Sequence, residues 1–248
     1  MEIGNEMEQV AMTPKDLKVK IFADGADYDG MIESYANPLV SGFTTNPTLM
    51  KKAGIKDYVA FAQEILAAIP DRDISFEVFA DDLNEMDRQA RIISGWGDRV
   101  YAKIPVTNSK GQSTCRLVHG LSNDGIKVNV TAIFSVEQVR QVAEALDGGT
   151  ASCVSVFAGR IADSGVDCLP VMSRSVELLS PNFNAELIWA SPREVYNVIQ
   201  AHQIGCHIIT CTNEIIQKLS CIGKNLSDYS LETVGDFYND AVKAGYWI

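Results

Sequence analysis

The sequence predicts an α/β fold, a single (β/α)8 barrel of the TIM type with an additional C-terminal helix. Three observations carry that reading. Short β-rich runs alternate with amphipathic stretches from Val19 to the C-terminus. There are eight such runs, each followed by a helical pattern, as in a parallel sheet covered by helices. The chain has 248 residues, a length at which closure into a barrel is favoured over an open sheet.

The runs fall at residues 19–23, 39–43, 74–79, 100–104, 127–132, 153–157, 186–190 and 207–210. Helical patterns lie between them at 28–35, 55–68, 83–94, 114–123, 136–146, 168–179 and 193–202. A stretch at 213–219 follows the eighth run, and residues 231–244 form the final amphipathic helix. An open doubly wound sheet is the rival architecture, but no GxGxxG follows the first strand. No repeat, low-complexity tract or linker interrupts the pattern. The reading is one catalytic domain over residues 18–248, preceded by a flexible extension over residues 1–17.

Composition removes several function classes. The net charge is −11 with 21 basic residues, and no basic cluster is interleaved with aromatics. A nucleic-acid partner needs a concentrated basic face, so none is expected. No apolar run approaches the ~20 residues that span a bilayer, so no membrane partner is expected either. The polar, acidic first residues lack the regions of a signal peptide, which points to the cytoplasm. The six cysteines (Cys115, Cys153, Cys168, Cys206, Cys211, Cys221) show no CxxC or disulfide-framework spacing. Cys153 and Cys206 read as buried small hydrophobes. His119, His202 and His207 lack metal-ligand spacing, and neither GxSxG nor a P-loop occurs, so no metal and no cofactor are expected.

In such a barrel the active site forms at the C-terminal ends of the strands. The polar residues there are Asp24, the turn Thr44-Thr45-Asn46-Pro47, Glu77, Lys103, Asn129 with Thr131, Ser155 and Ser191. Strand residues two apart share a face, which pairs Asn129 with Thr131 and Ser155 with Phe157. Lys103 stands in the apolar run Val-Tyr-Ala-Lys-Ile-Pro-Val. An interior lysine is costly while charged, so burial favours the free amine that attacks a ketone to give an imine. By itself the segment favours the blander reading, a snorkelling or salt-bridged lysine on the outer face.

Glu77 reads either as an acid/base for carbinolamine dehydration or as a counter-ion for Lys103. Asp24 reads as a proton acceptor for a substrate hydroxyl or as an Asx-turn residue in Ala-Asp-Gly-Ala-Asp. Arg160, Arg193 and Ser191 can together hold a phosphate through charge-assisted hydrogen bonds, or the arginines sit in surface ion pairs.

Seven strand-end segments in order resemble the transaldolase family, in its small-subunit branch with fructose-6-phosphate aldolase. They are Ile-Phe-Ala-Asp24, Gly-Phe-Thr-Thr-Asn46-Pro, Phe-Glu77-Val, Ala-Lys103-Ile-Pro-Val-Thr, Asn129-Val-Thr131, Ser155-Val-Phe157-Ala-Gly-Arg160-Ile and Ala-Ser191-Pro-Arg193. The resemblance implies a Schiff base between Lys103 and dihydroxyacetone, with Asp24 handling the substrate hydroxyl during aldol cleavage. It implies that Glu77 and Thr131 activate a water during imine formation. Asn46 beside Thr45, Asn129 and Ser155 would contact the dihydroxyacetone unit, and Arg160, Ser191 and Arg193 the phosphate.

Within the family, transaldolases resemble this chain in carrying Glu at position 77 and Phe at position 157, where the aldolases tend to carry Gln and Tyr. A phenyl ring cannot donate the proton that a tyrosine can. The imine then waits for an acceptor, which favours transfer over release of free dihydroxyacetone, the alternative activity. A phosphosugar isomerase or a non-catalytic sugar-phosphate-binding barrel is a more distant alternative, and the Lys103–Glu77–Asp24 set argues against it. Two departures stand out. Val156 replaces a common Pro, and Trp189 replaces Gly or Ala two residues before Ser191, on what strand alternation makes the same face. An indole there is expected to narrow the pocket. The resemblance further implies sugar phosphates as the small-molecule partners and a homo-oligomer, pentamer or decamer, assembled through C-terminal helices.

Overall fold

A computed structural model describes residues 12–146, 149–182 and 184–248. Eight parallel strands close into a barrel in sequence order. They are β1 (Lys20–Asp24), β2 (Val40–Thr44), β3 (Asp73–Glu77), β4 (Val100–Pro105), β5 (Val128–Ile133), β6 (Ser152–Val156), β7 (Ala185–Trp189) and β8 (Ile208–Cys211). Every strand expected from the sequence is present, with ends shifted by at most two residues.

The helices around the barrel are α1 (Tyr28–Tyr35), α2 (Pro47–Lys52), α3 (Tyr58–Ala68), α4 (Leu83–Ser94), α5 (Cys115–Asn123) and α6 (Val136–Ala145). They continue with α7 (Ala158–Asp163), α8 (Leu169–Leu179), α9 (Tyr196–Gln203), α10 (Asn213–Lys218) and α11 (Leu226–Ala244). Side-chain caps start several of them. Asp27, Asp57 and Asp82 accept from the first-turn amides of α1, α3 and α4, and Ser135 with Gln138 forms a capping box on α6. Among the described residues no helix is long and apolar enough to cross a membrane.

Strand alternation sorts the core into two layers. Ala23, Phe43, Phe76, Ile104, Val130, Val156, Leu187 and Trp189 point outward and pack beneath the helices. Phe22, Tyr101, Cys153, Ile188 and Ile208 form a separate cluster inside the barrel. Gly42 is required there: a Cβ on it would lie 2.4 Å from the Phe22 ring. Cys153 and Cys206 are both buried, as a small-hydrophobe reading requires.

Several boundaries differ from expectation. The six-residue helices α2 and α7 were not anticipated, because each starts within three positions of a strand end and its few residues merge with that strand's run. Helix α9 begins at Tyr196 rather than at 193, since residues 191–195 run through a loop behind Pro192. Helix α11 begins at Leu226, where Asn225 caps it by accepting from Ser227 N and Asp228 N. Of the N-terminal extension, residues 1–11 lie outside the described residues. Pro14–Asp16 forms one 3-10 turn, Leu17 packs against the core, and Lys18 N donates to His202 Nδ1 at 3.1 Å.

Trp189 corrects an expectation about the pocket. It is fully buried, in the layer between barrel and helices, and does not line the central cavity. The alternation argument failed because β7 ends at Trp189 and Ser191 then takes a left-handed backbone with φ 61°. That turn sends Ala190 and Ser191 both into the cavity while the indole points away.

Candidate active site

A cavity of about 460 Å³ opens at the C-terminal end of the barrel, within the size range of small-ligand sites. Of the residues singled out in the sequence, Asp24, Asn46, Glu77, Lys103, Thr131, Ser155, Phe157, Arg160 and Ser191 line it. Seven strands or strand ends contribute them, so the barrel gathers what the chain spreads over about 170 positions.

Lys103 is the centre of this wall. Its side chain is 8% exposed, and Nζ donates to the Thr45 carbonyl at 2.7 Å. Nζ also lies 3.1 Å from Glu77 Oε1. The register produces this contact, since Glu77 and Lys103 stand opposite each other in β3 and β4. The outer-face reading of Lys103 is therefore excluded, while its role as ion-pair partner of Glu77 holds together with its place in the cavity. Burial raises the Glu77 carboxyl above its usual range, opposed by the nearby Lys103. Glu77 Oε2 and Thr131 Oγ1 are both buried without a hydrogen-bond partner among the described residues. Two polar atoms on one cavity wall are thus left to bind a ligand or water.

Asp24 sits across from this pair, held by its neighbours. Thr44 Oγ1 donates to its Oδ1 at 2.8 Å and Asn46 Nδ2 to its Oδ2 at 3.1 Å. Burial is the dominant influence and pushes its carboxyl up, against the pull of Lys103 and these two hydrogen bonds. Asn46 has a second task, since its Oδ1 caps α2 by accepting from Leu49 N. Asp24 is therefore fixed by groups that the end of β2 and the start of α2 orient together.

Three predicted residues do not line the cavity. Thr45 turns its side chain to the Ser75 carbonyl and contributes only its own carbonyl, to Lys103. Asn129 is fully buried one layer below, where its amide donates to Ser75 Oγ and accepts from Ser155 Oγ at 2.7 Å. It supports the cavity floor through Ser155. Arg193 is exposed and pairs with Asp163, while its NH1 donates to Ser191 O and Oγ at 2.9 Å. The surface ion-pair reading holds for Arg193, and it bears on the cavity through Ser191. Arg160 does line the cavity, with its guanidinium 5.0 Å from the Phe157 ring centroid.

Other lining residues carry no role in the sequence reading. Thr44 and Thr210 line the cavity and share a 2.6 Å hydrogen bond beside Asp24. Thr44 was visible as part of the strand-end turn, whereas Thr210 closes an apolar strand with no other signal. Ala132 lines the cavity next to Thr131, against simple alternation. Its φ of 59° marks an extra residue in β5, where Val130 to Ile133 spans Val154 to Val156 of β6. Non-glycine residues with positive φ are costly, and the two among the described residues, Ala132 and Ser191, border this cavity. At Gly159 a Cβ would lie 1.6 Å from the Ser191 carbonyl, so only glycine lets α7 approach this rim.

Comparison with known proteins points to one family. The profile of the Transaldolase/Fructose-6-phosphate aldolase family matches residues 21–245. A probable transaldolase of Dehalococcoides mccartyi is 36% identical over 202 residues, covering 81% of this chain and 90% of the relative. One from a Thermoanaerobacter species is 35% identical over 228 residues, covering 92% and 99%. One from Methanococcus maripaludis is 37% identical over 202 residues, covering 81% and 89%. Among solved structures, a mandelate oxidase aligns with a TM-score of 0.55 at 16% identity, covering 90% of this chain and 74% of that one. At that identity the likeness concerns the fold alone.

Proposed function

The chain belongs to the transaldolase/fructose-6-phosphate aldolase family, and on that premise we propose that it is a transaldolase working through an imine on Lys103. The donor is a ketose phosphate, fructose 6-phosphate or sedoheptulose 7-phosphate, and the acceptor an aldose phosphate. The observation that carries the reading is the buried Lys103 amine, 3.1 Å from one carboxyl and sharing its cavity with a second, Asp24.

In this reading the Lys103 amine adds to the C2 carbonyl of the donor. Glu77, with a raised proton affinity, and Thr131 bind the water that leaves as the carbinolamine becomes an imine. Asp24 takes the proton of the C4 hydroxyl as the C3–C4 bond breaks, and the electron pair passes into an enamine on Lys103. The aldose phosphate departs, and the enamine attacks the acceptor aldehyde by the same steps in reverse. Asn46 and Ser155 hold the dihydroxyacetone hydroxyls, Arg160 and Ser191 take the phosphate, and Asn129 and Arg193 act through Ser155 and Ser191.

Phe157 favours transfer over release. Its ring walls the cavity and offers no proton to the enamine. The test is fructose 6-phosphate turnover with and without erythrose 4-phosphate. Transaldolase predicts strong dependence on the acceptor; equal rates with free dihydroxyacetone as product would make the enzyme an aldolase instead.

The reading extends to self-association. Helix α11 buries no residue, and Leu231, Val234, Tyr238 and Val242 form an exposed stripe on it. We assign that stripe to a second copy of the chain in a homo-oligomer, for which light scattering must return a multiple of 27.1 kDa.

A further inference from the structure

Strand β2 covers β3 only as far as Thr45. The last hydrogen bond between them runs from Thr45 N to Ser75 O at 3.2 Å. In a regular parallel ladder the next two bonds would join Glu77 N–H to the Thr45 carbonyl, and the Glu77 carbonyl to the N–H of residue 47. Neither forms here. The Thr45 carbonyl accepts from Lys103 Nζ at 2.7 Å, and residue 47 is proline, which has no N–H. The main chain of Glu77 thus loses its strand partner where its side chain must be held in place.

Tyr58, the first residue of α3, fills both positions. Its hydroxyl accepts from Glu77 N at 2.7 Å and donates to Glu77 O at 3.2 Å. Edge-to-face contacts with Phe76, Phe79 and Trp96, at centroid distances of 6.1, 4.6 and 5.8 Å, fix the ring. Burial, and then the negative charge of Glu77, push the phenol above its ordinary range, so the hydroxyl keeps its proton and both bonds.

We propose that Tyr58 is a positioning residue for the Lys103–Glu77 pair: its hydroxyl stands in for β2 and leaves the Thr45 carbonyl free to hold the Lys103 amine. Removing the hydroxyl gives the Glu77 N–H one remaining acceptor in the ladder, the Thr45 carbonyl, in competition with Lys103. The inference rests on Lys103 being the imine-forming amine.

The experiment follows the rate of borohydride-trappable adduct formation with fructose 6-phosphate, alongside thermal unfolding. It compares wild type, Tyr58→Phe and Trp96→Phe. Tyr58→Phe keeps the ring, and Trp96→Phe disturbs the same aromatic cage without touching the hydroxyl. The expected result is a roughly tenfold fall in the saturating rate for Tyr58→Phe, with the half-saturating concentration unchanged. Trp96→Phe should lower the unfolding temperature and keep the wild-type rate. Equal saturating rates in wild type and Tyr58→Phe overturn the inference, as does an equal fall in Trp96→Phe, which would make the effect one of packing. Absence of any adduct in the wild type overturns the proposed function, and this inference with it.

Discussion

Lys103 Nζ lies 3.1 Å from Glu77 Oε1 because the two residues face each other across the β3–β4 pairing. Each is the other's nearest charge in a buried setting, so removing one exposes the cost of the other. Glu77→Ala is expected to slow adduct formation by about 100-fold or more, the usual loss for an acid/base group. It should also lower stability by about 3 kcal/mol, as breaking a buried pair does. Stopped-flow trapping and urea unfolding measure the two; a rate within tenfold of wild type would remove Glu77 from the proton transfers.

Asp24 carries a pH signature. Its carboxyl is raised by burial, so the folded state binds the proton more tightly than the unfolded chain, whose aspartates titrate near ~3.9. The stabilisation from the protonated form is complete below that value and is lost as pH rises through the higher folded one. Asp24→Asn has no such titration. Its melting temperature relative to wild type should therefore rise as pH climbs above about 4, while its activity falls by about 100-fold or more. A difference that stays constant or shrinks with pH would contradict the assigned direction.

The two arginines separate by their contacts. Arg160 lines the cavity, whereas Arg193 is paired with Asp163 and reaches the site through Ser191. Arg160→Ala should raise KM for fructose 6-phosphate by roughly 10- to 100-fold, the loss of a charge-assisted hydrogen bond. Arg193→Ala should cost roughly fivefold or less, as expected for an exposed pair. Steady-state kinetics with the reverse order would make Arg193 the direct phosphate ligand.

Phe157 sits on the cavity wall with Phe134 at a centroid distance of 5.7 Å on one side and Arg160 on the other. Phe157→Tyr places a hydroxyl in that wall. The ratio of free dihydroxyacetone to transfer product should rise, read by product analysis in the presence of acceptor. An unchanged ratio would remove the physical reason for preferring transfer.

Short β-rich runs set between amphipathic stretches made all eight strands legible, and strand-end polarity marked Asp24, Glu77, Lys103 and Thr131 as candidates. Legibility stopped where the backbone leaves regular geometry. Ser191 and Ala132 adopt positive φ without being glycine, so nothing in the sequence signals that the strand face changes at them. Trp189 was misplaced for that reason. Tyr58 was invisible on other grounds: it lies 19 positions from Glu77 and meets it through a hydroxyl, on a helix read only for its apolar face. Arg193 looked like its neighbour Arg160 in sequence, and only the position of Asp163 set them apart.

The imine on Lys103 is tested most directly by mass. Wild-type protein incubated with fructose 6-phosphate and reduced with borohydride should carry one reduced dihydroxyacetone adduct per chain, mapped to the peptide containing Lys103. The adduct and the activity should both vanish in Lys103→Ala. Absence of the adduct, its appearance on another lysine, or full activity in Lys103→Ala would contradict the mechanism.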